Sequence, residues 1–164
     1  MTIDRRILID PNGAILSAGR KLSTVKGREQ ASNETRRVFE SWCRWKPAGR
    51  LPRPDEIYPH RLGDVIPSTM VVDVMESEQD YRYRTVGALE AETRCGDPTG
   101  LTVRELYRSK PEVMEFCLES YDLASASPWG IIDFSIEASA NPRYLELETM
   151  FLPLSEDGAQ VTQI

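Results

Sequence analysis

The sequence predicts an α+β domain: five antiparallel strands, helices inserted between strands two and three, and one amphipathic helix ahead of the sheet. Three observations carry this. The runs "TMVVDVME" and "DYRYRTV" are rich in β-branched and aromatic residues and are separated only by "SEQ", which reads as a hairpin. The runs "GIIDFSIEA" and "RYLELETMFLPL" alternate apolar with polar residues around the turn "SANPR". Between these two pairs lie helical spacings and capping signals.

Residues 1–30 read as an N-terminal extension, a hairpin or a flexible segment. "ILIDPNGAIL" places two apolar runs around the Pro11-Asn12-Gly13 turn, and "SAGRKLSTVKGREQASN" has the polar, Gly/Ser-containing composition of a linker. Residues 31–50 hold an amphipathic helix over 33–46. Asn33 is its expected cap. Val38, Trp42 and Trp45 share one face, with Phe39 beside them. Rings of that size are too large to leave in water, so this face packs on the domain or on a second copy. The domain itself is expected over 51–164.

"GRLPRPDEIYPHRLGDVIPS" is proline-rich and reads as extended, with at most a short helix near 59–64. In the second strand of the first hairpin, Tyr81, Tyr83 and Thr85 are expected to face the core. Arg82 and Arg84 face water or Asp73 across the hairpin. "ALEAETR" is a short helix and "CGDPTG" a double turn. Thr102 with Glu105 forms a capping box, and Ser109 with Glu112 a second one that opens a helix over 110–125. The inner stripe of that helix is Val113, Phe116, Cys117, Tyr121 and Ala124. In the second hairpin, Ile132, Phe134 and Ile136 point inward, opposite Asp133, Ser135 and Glu137. Leu145, Leu147, Thr149 and Phe151 do the same against Tyr144, Glu146 and Glu148. "SEDG" is a turn, and "AQVTQI" begins a final strand that stops after a few residues, as a cut or natively short chain would.

Composition narrows the function classes. A chain of 164 residues buries a core without staples. A net charge of -6 speaks against a nucleic-acid backbone as partner. No window is apolar enough to span a bilayer, and the acidic, turn-bearing N-terminus does not read as a signal peptide, so the protein reads as cytoplasmic. Three well-separated cysteines, Cys43, Cys95 and Cys117, with His60 as the only histidine, do not form a disulfide framework or a metal site. Cys95, His60 and Asp97 do not sit in any motif of a thiol-based catalytic site, and a phosphate-binding glycine loop is absent.

The element order also resembles the PAS fold, and the sequence resembles more specifically a group of short, stand-alone bacterial PAS-like domains. "LPRPDEIYPHRLGDVIPSTMVVDV" is similar to that family's entry into its first strand. "YRYRTVG" followed by "CGDPTGLTVREL" is similar to its second strand and glycine-bearing turn, with Cys95 where the family carries an aromatic. "FLPLSEDG" is similar to its penultimate strand and turn. The resemblance covers 51–164 and implies a PAS-like five-stranded antiparallel sheet, preceded by the N-terminal helix. It implies a non-enzymatic sensory or regulatory module, with a small-molecule cavity between sheet and helices and output through a partner protein or a homodimer. It implies no catalytic residue. Covalent flavin chemistry is disfavoured, since "TRCGDP" lacks the expected neighbours of a flavin-reactive cysteine. Haem is disfavoured because the helix over 110–125 has no histidine and His60 precedes the first strand.

Two functional hypotheses follow, with a small α+β enzyme as a weaker third. In a ligand sensor, Tyr83, Met114, Cys117, Phe134 and Thr149 line a cavity. In a pure interaction module the same residues are filled core, and Val38, Trp42 and Trp45 form the partner surface.

Overall fold

The structure, a computed structural model, describes residues 7–9, 15–16, 31–46, 49–57, 62–94, 96–138 and 144–164, with the backbone alone described at 7–9, 15–16, 134–138 and 144–147. The elements in chain order are β1 (Ile7–Ile9), β2 (Ile15–Leu16), α1 (Asn33–Trp45), 3-10 segments at Pro54–Glu56 and Gly63–Ser68, β3 (Met70–Met75), β4 (Asp80–Val86), α2 (Ala88–Thr93), α3 (Val103–Leu106), α4 (Pro111–Ser125), β5 (Gly130–Ala138) and β6 (Tyr144–Phe151).

The expected single five-stranded PAS-like sheet is not formed. β5 and β6 belong to a four-stranded sheet in the order β2-β1-β5-β6, whereas β3 and β4 form a sheet of their own. The reason lies in edge pairing. The free edge of β5 is taken by the N-terminal hairpin, with Ile7 opposite Ile132 and Leu8 opposite Ile131. The outer edge of β3 is taken by the C-terminal segment: Val72 and Ile164 exchange N–H···O bonds at 2.9 Å, and the Val74 N–H donates to Thr162 O at 3.0 Å. The outer edge of β4 meets the turn before α3, through Tyr83 N–H to Leu101 O at 3.0 Å and Gly100 N–H to Tyr83 O at 2.7 Å. Backbone donors satisfied in this way offer no template for joining the two hairpins. The final "AQVTQI" thus docks by single bridges at Gln163, to Asp73 and to Leu154, rather than as a regular strand.

The chain divides into two compact units, one of Met1–Cys43 with Trp129–Leu152, the other of Arg44–Pro128 with Pro153–Ile164. In the first, the stacked Phe39 and Trp42 rings lie 6.0 Å apart and are buried. Gly130 sits where a Cβ would meet Phe39 at 3.2 Å, which brings α1 against the start of β5. Ser32, not Asn33, caps α1: its Oγ accepts the Thr35 N–H at 3.2 Å, and its own N–H donates to both oxygens of Glu148 at 3.0 Å. Ile131, Ile132 and Asp133 are all buried, so both faces of β5 are covered at its start and the expected outward Asp133 is inside.

In the second unit the core includes Tyr81, Tyr83, Tyr121, Ala124, Val72 and Val103. The β3–β4 register steps by one between Val71 and Val72, leaving Arg84 without a Cα partner. This bulge separates Thr85 from the tyrosine face, and Thr85 is exposed. Arg84 Nε reaches Asp73 Oδ1 at 2.7 Å. Gly87 is required by space: a Cβ there would lie 2.4 Å from the Ile66 and Pro67 carbonyl oxygens. The Thr102–Glu105 capping box is made in both directions, at 3.2 and 2.9 Å. The Ser109 box is not: Pro111 takes the first helical position, the cap falls to Lys110, and Lys110 makes no side-chain cap bond. Val113 is 40% exposed, because the buried face of α4 begins a turn later and ends on Ser120, Tyr121 and Ala124.

Candidate functional site

The hydroxyl of Tyr81 anchors the site. Strand alternation sends Tyr81 and Tyr83 inward from β4 towards α4. Tyr81 packs on Tyr121 with ring centroids 5.0 Å apart, and Tyr83 meets Tyr121 edge-on at 6.5 Å. The Tyr81 O–H then reaches past the core to donate to Asp122 Oδ1 at 2.6 Å, with Ser125 Oγ at 3.1 Å. Burial first, and the Asp122 carboxylate second, push the Tyr81 phenol up to about 12. Burial likewise raises Tyr83, Tyr107 and Tyr121 above the usual phenol range. All four phenols therefore hold their protons at neutral pH and do not serve as bases there.

Beside this contact opens a cleft of about 510 Å³, walled by the end of β3, the β3–β4 turn, the last turns of α4 and the C-terminal segment. Its apolar part includes Val74, Met75, Leu118 and Val161. Its polar part includes Glu76, Asp80, Asp122 and Arg104. Gln160 Nε2 donates to Glu76 Oε1, and Arg104 Nη2 donates to the Gln79 carbonyl at 3.2 Å. Gln79 itself has a positive φ of 49°, which closes the turn at the rim. Asp80 is 6% exposed, and its Oδ1 accepts the Tyr81 N–H at 2.8 Å.

The residues named from sequence divide between the two units. Tyr83 is buried and Met114 and Cys117 are half-buried in the second; Thr149 is half-buried in the first, and the Phe134 side chain lies outside the described residues. Of these, Tyr83, Met114, Cys117 and Thr149 do not line the cleft. Trp42 is fully buried within the chain, while Val38 and Trp45 are half-buried. Cys95 and His60 lie outside the described residues. Asp97 is exposed and accepts both the N–H and the hydroxyl of Thr99, at 2.9 and 2.6 Å, a turn-forming arrangement that also lowers its pKa. Sequence reasoning missed Asp80, Asp122 and Ser125. Asp122 follows the inner-stripe Tyr121, and that adjacency was the one available signal.

Among the described residues no group of three or more His, Cys, Asp or Glu could hold a metal ion, and no helix is long and apolar enough to cross a membrane. No family model, no curated protein and no solved structure matches the chain.

Proposed function

We propose that the protein is a non-enzymatic sensory module that binds a small molecule in the cleft between the β3–β4 turn and the end of α4. The supporting observation is the cleft itself: its volume falls within the range of about 300–1,000 Å³ typical of small-molecule sites, and it combines an apolar wall with a few polar groups. Tyr81 and Asp122 link strand to helix at its edge, so an occupant touching Asp122 would act on the contact that holds α4 to the hairpin. This keeps the sensory role implied by the sequence resemblance, without the single sheet. The module works in the cytoplasm in this reading, and its output passes through a partner protein or a homodimer. The pure interaction reading is weaker, because the full burial of Trp42 removes its largest anchor. Native mass spectrometry of the purified full chain tests the proposal. A retained adduct that is lost in Asp122→Ala supports it. A bare chain mass, with no ligand-dependent change in melting temperature across a set of small metabolites, overturns it.

A further inference from the structure

Among the described residues one buried side-chain nitrogen or oxygen lacks a hydrogen-bond partner: Arg94 Nε. Arg94 follows the last residue of α2, and its side chain is 21% exposed. Its hydrogen bonds leave from Nη1, to the Glu90 carboxylate, to the Glu90 carbonyl at 3.1 Å and to Thr93 Oγ1 at 3.4 Å. Nε lies on the other edge of the guanidinium, where it forms with Nη2 the side-on fork that matches two carboxylate oxygens. A buried, charged N–H donor without an acceptor is costly. The nearest groups do not relieve that cost. Glu90 is turned to Nη1. The phenols of Tyr107 and Tyr83 lie close enough to act on the Arg94 charge, but both keep their protons at neutral pH and bring further O–H donors to the same place. Tyr83 is fully buried and Tyr107 half-buried, so the surroundings are aromatic.

We infer that Arg94 forms a second ligand site in this unit, one that binds the carboxylate of a small organic acid. The two carboxylate oxygens accept from Nε–H and Nη2–H, and the body of the acid lies against the Tyr83 and Tyr107 rings. Glu90 already balances the guanidinium charge through Nη1, so it acts as an internal competitor that keeps the affinity modest. Arg94 does not line the cleft proposed above, and the two sites are tested separately.

The test uses the full chain at neutral pH and low salt, with benzoate as probe and benzamide and benzylamine as its neutral and cationic analogues. The Nε–H resonance of Arg94, assigned by its loss in Arg94→Lys, reports the donor directly. Benzoate should move it saturably, benzamide far less and benzylamine not at all. Arg94→Lys keeps a cation beside Glu90 but removes the fork; benzoate affinity, read from the Tyr83 and Tyr107 amide shifts, should fall about tenfold or more. Glu90→Gln removes the competing carboxylate and should tighten benzoate about threefold or more, and it serves if the lysine variant fails to fold. A guanidinium with only a structural role would show no such gain. An Arg94 Nε–H signal that ignores benzoate and exchanges magnetisation with water alone overturns the inference, since a buried water is then the acceptor. Benzoate that binds without moving that signal, benzamide that binds as tightly, or unchanged affinity in Glu90→Gln also overturns it. None of these results alters the Asp122→Ala adduct measurement, which decides the cleft reading by itself.

Discussion

Replacing Tyr81 by phenylalanine removes one oxygen from a ring that is 4% exposed. The ring keeps its packing on Tyr121, so the change isolates the hydroxyl and its bonds to Asp122 and Ser125. A hydrogen bond to a charged group contributes about 1.5–3 kcal/mol, and because Asp122 is exposed and regains water, the lower end applies, about 1.5 kcal/mol at neutral pH. The pH dependence follows from the raised phenol value of about 12. The unfolded chain releases the same proton near about pH 10, so the stabilisation is complete below that value and is lost as pH rises towards 12. At about pH 11 the unfolded wild type has gained about 1.4 kcal/mol, which the phenylalanine variant cannot gain. The stability gap between the two proteins should therefore close near that pH. Tyr83, Tyr107 and Tyr121 are common to both proteins and cancel in the difference. Urea unfolding followed by tryptophan fluorescence, from neutral pH upward, measures the gap. A variant as stable as wild type at neutral pH, or a gap that stays constant to about pH 11, would refute the reasoning.

Gly87→Ala should destabilise by about 1–3 kcal/mol, since the new methyl group meets two carbonyl oxygens of the preceding 3-10 segment, and an unchanged thermal midpoint would contradict this. Trp42→Ala should cost about 3–5 kcal/mol without changing the sedimentation of the remaining folded protein; lost self-association at full stability is the opposing result. Asp157 is held at about 2 by the backbone N–H groups of Ala159 and Gln160 and by the Ser155 hydroxyl. A depressed value contributes stability above the ordinary carboxylate range and loses it as pH falls through about 2. Asp157→Ala should therefore speed amide exchange at residues 159 and 160 and flatten the acid limb of the stability curve; unchanged exchange at both amides would count against it.

The β3–β4 hairpin was legible because alternation is a local signal: Tyr81 and Tyr83 are inside, and Arg84 pairs with Asp73. The bulge at Arg84 was not legible, because one inserted residue leaves no mark in a run of β-type residues. Strand identity did not reveal strand partners. "ILI" near the N-terminus and "VTQI" at the C-terminal end each look like marginal edge material, yet they occupy the edges that a single sheet would have needed. Ser109 matched the capping-box pattern, but Pro111 moved the helix start by one residue. The cleft was hidden for the same long-range reason. Asp80 reads as a strand start and Asp122 as a solvated helix position, until the fold brings Tyr81 between them.

Because each unit is assembled from two separated stretches, the order of synthesis matters. β1 leaves the ribosome long before its partner β5 has been translated, so its backbone groups must wait without that ladder while the second unit's longer stretch emerges. Such late closure raises contact order and slows folding.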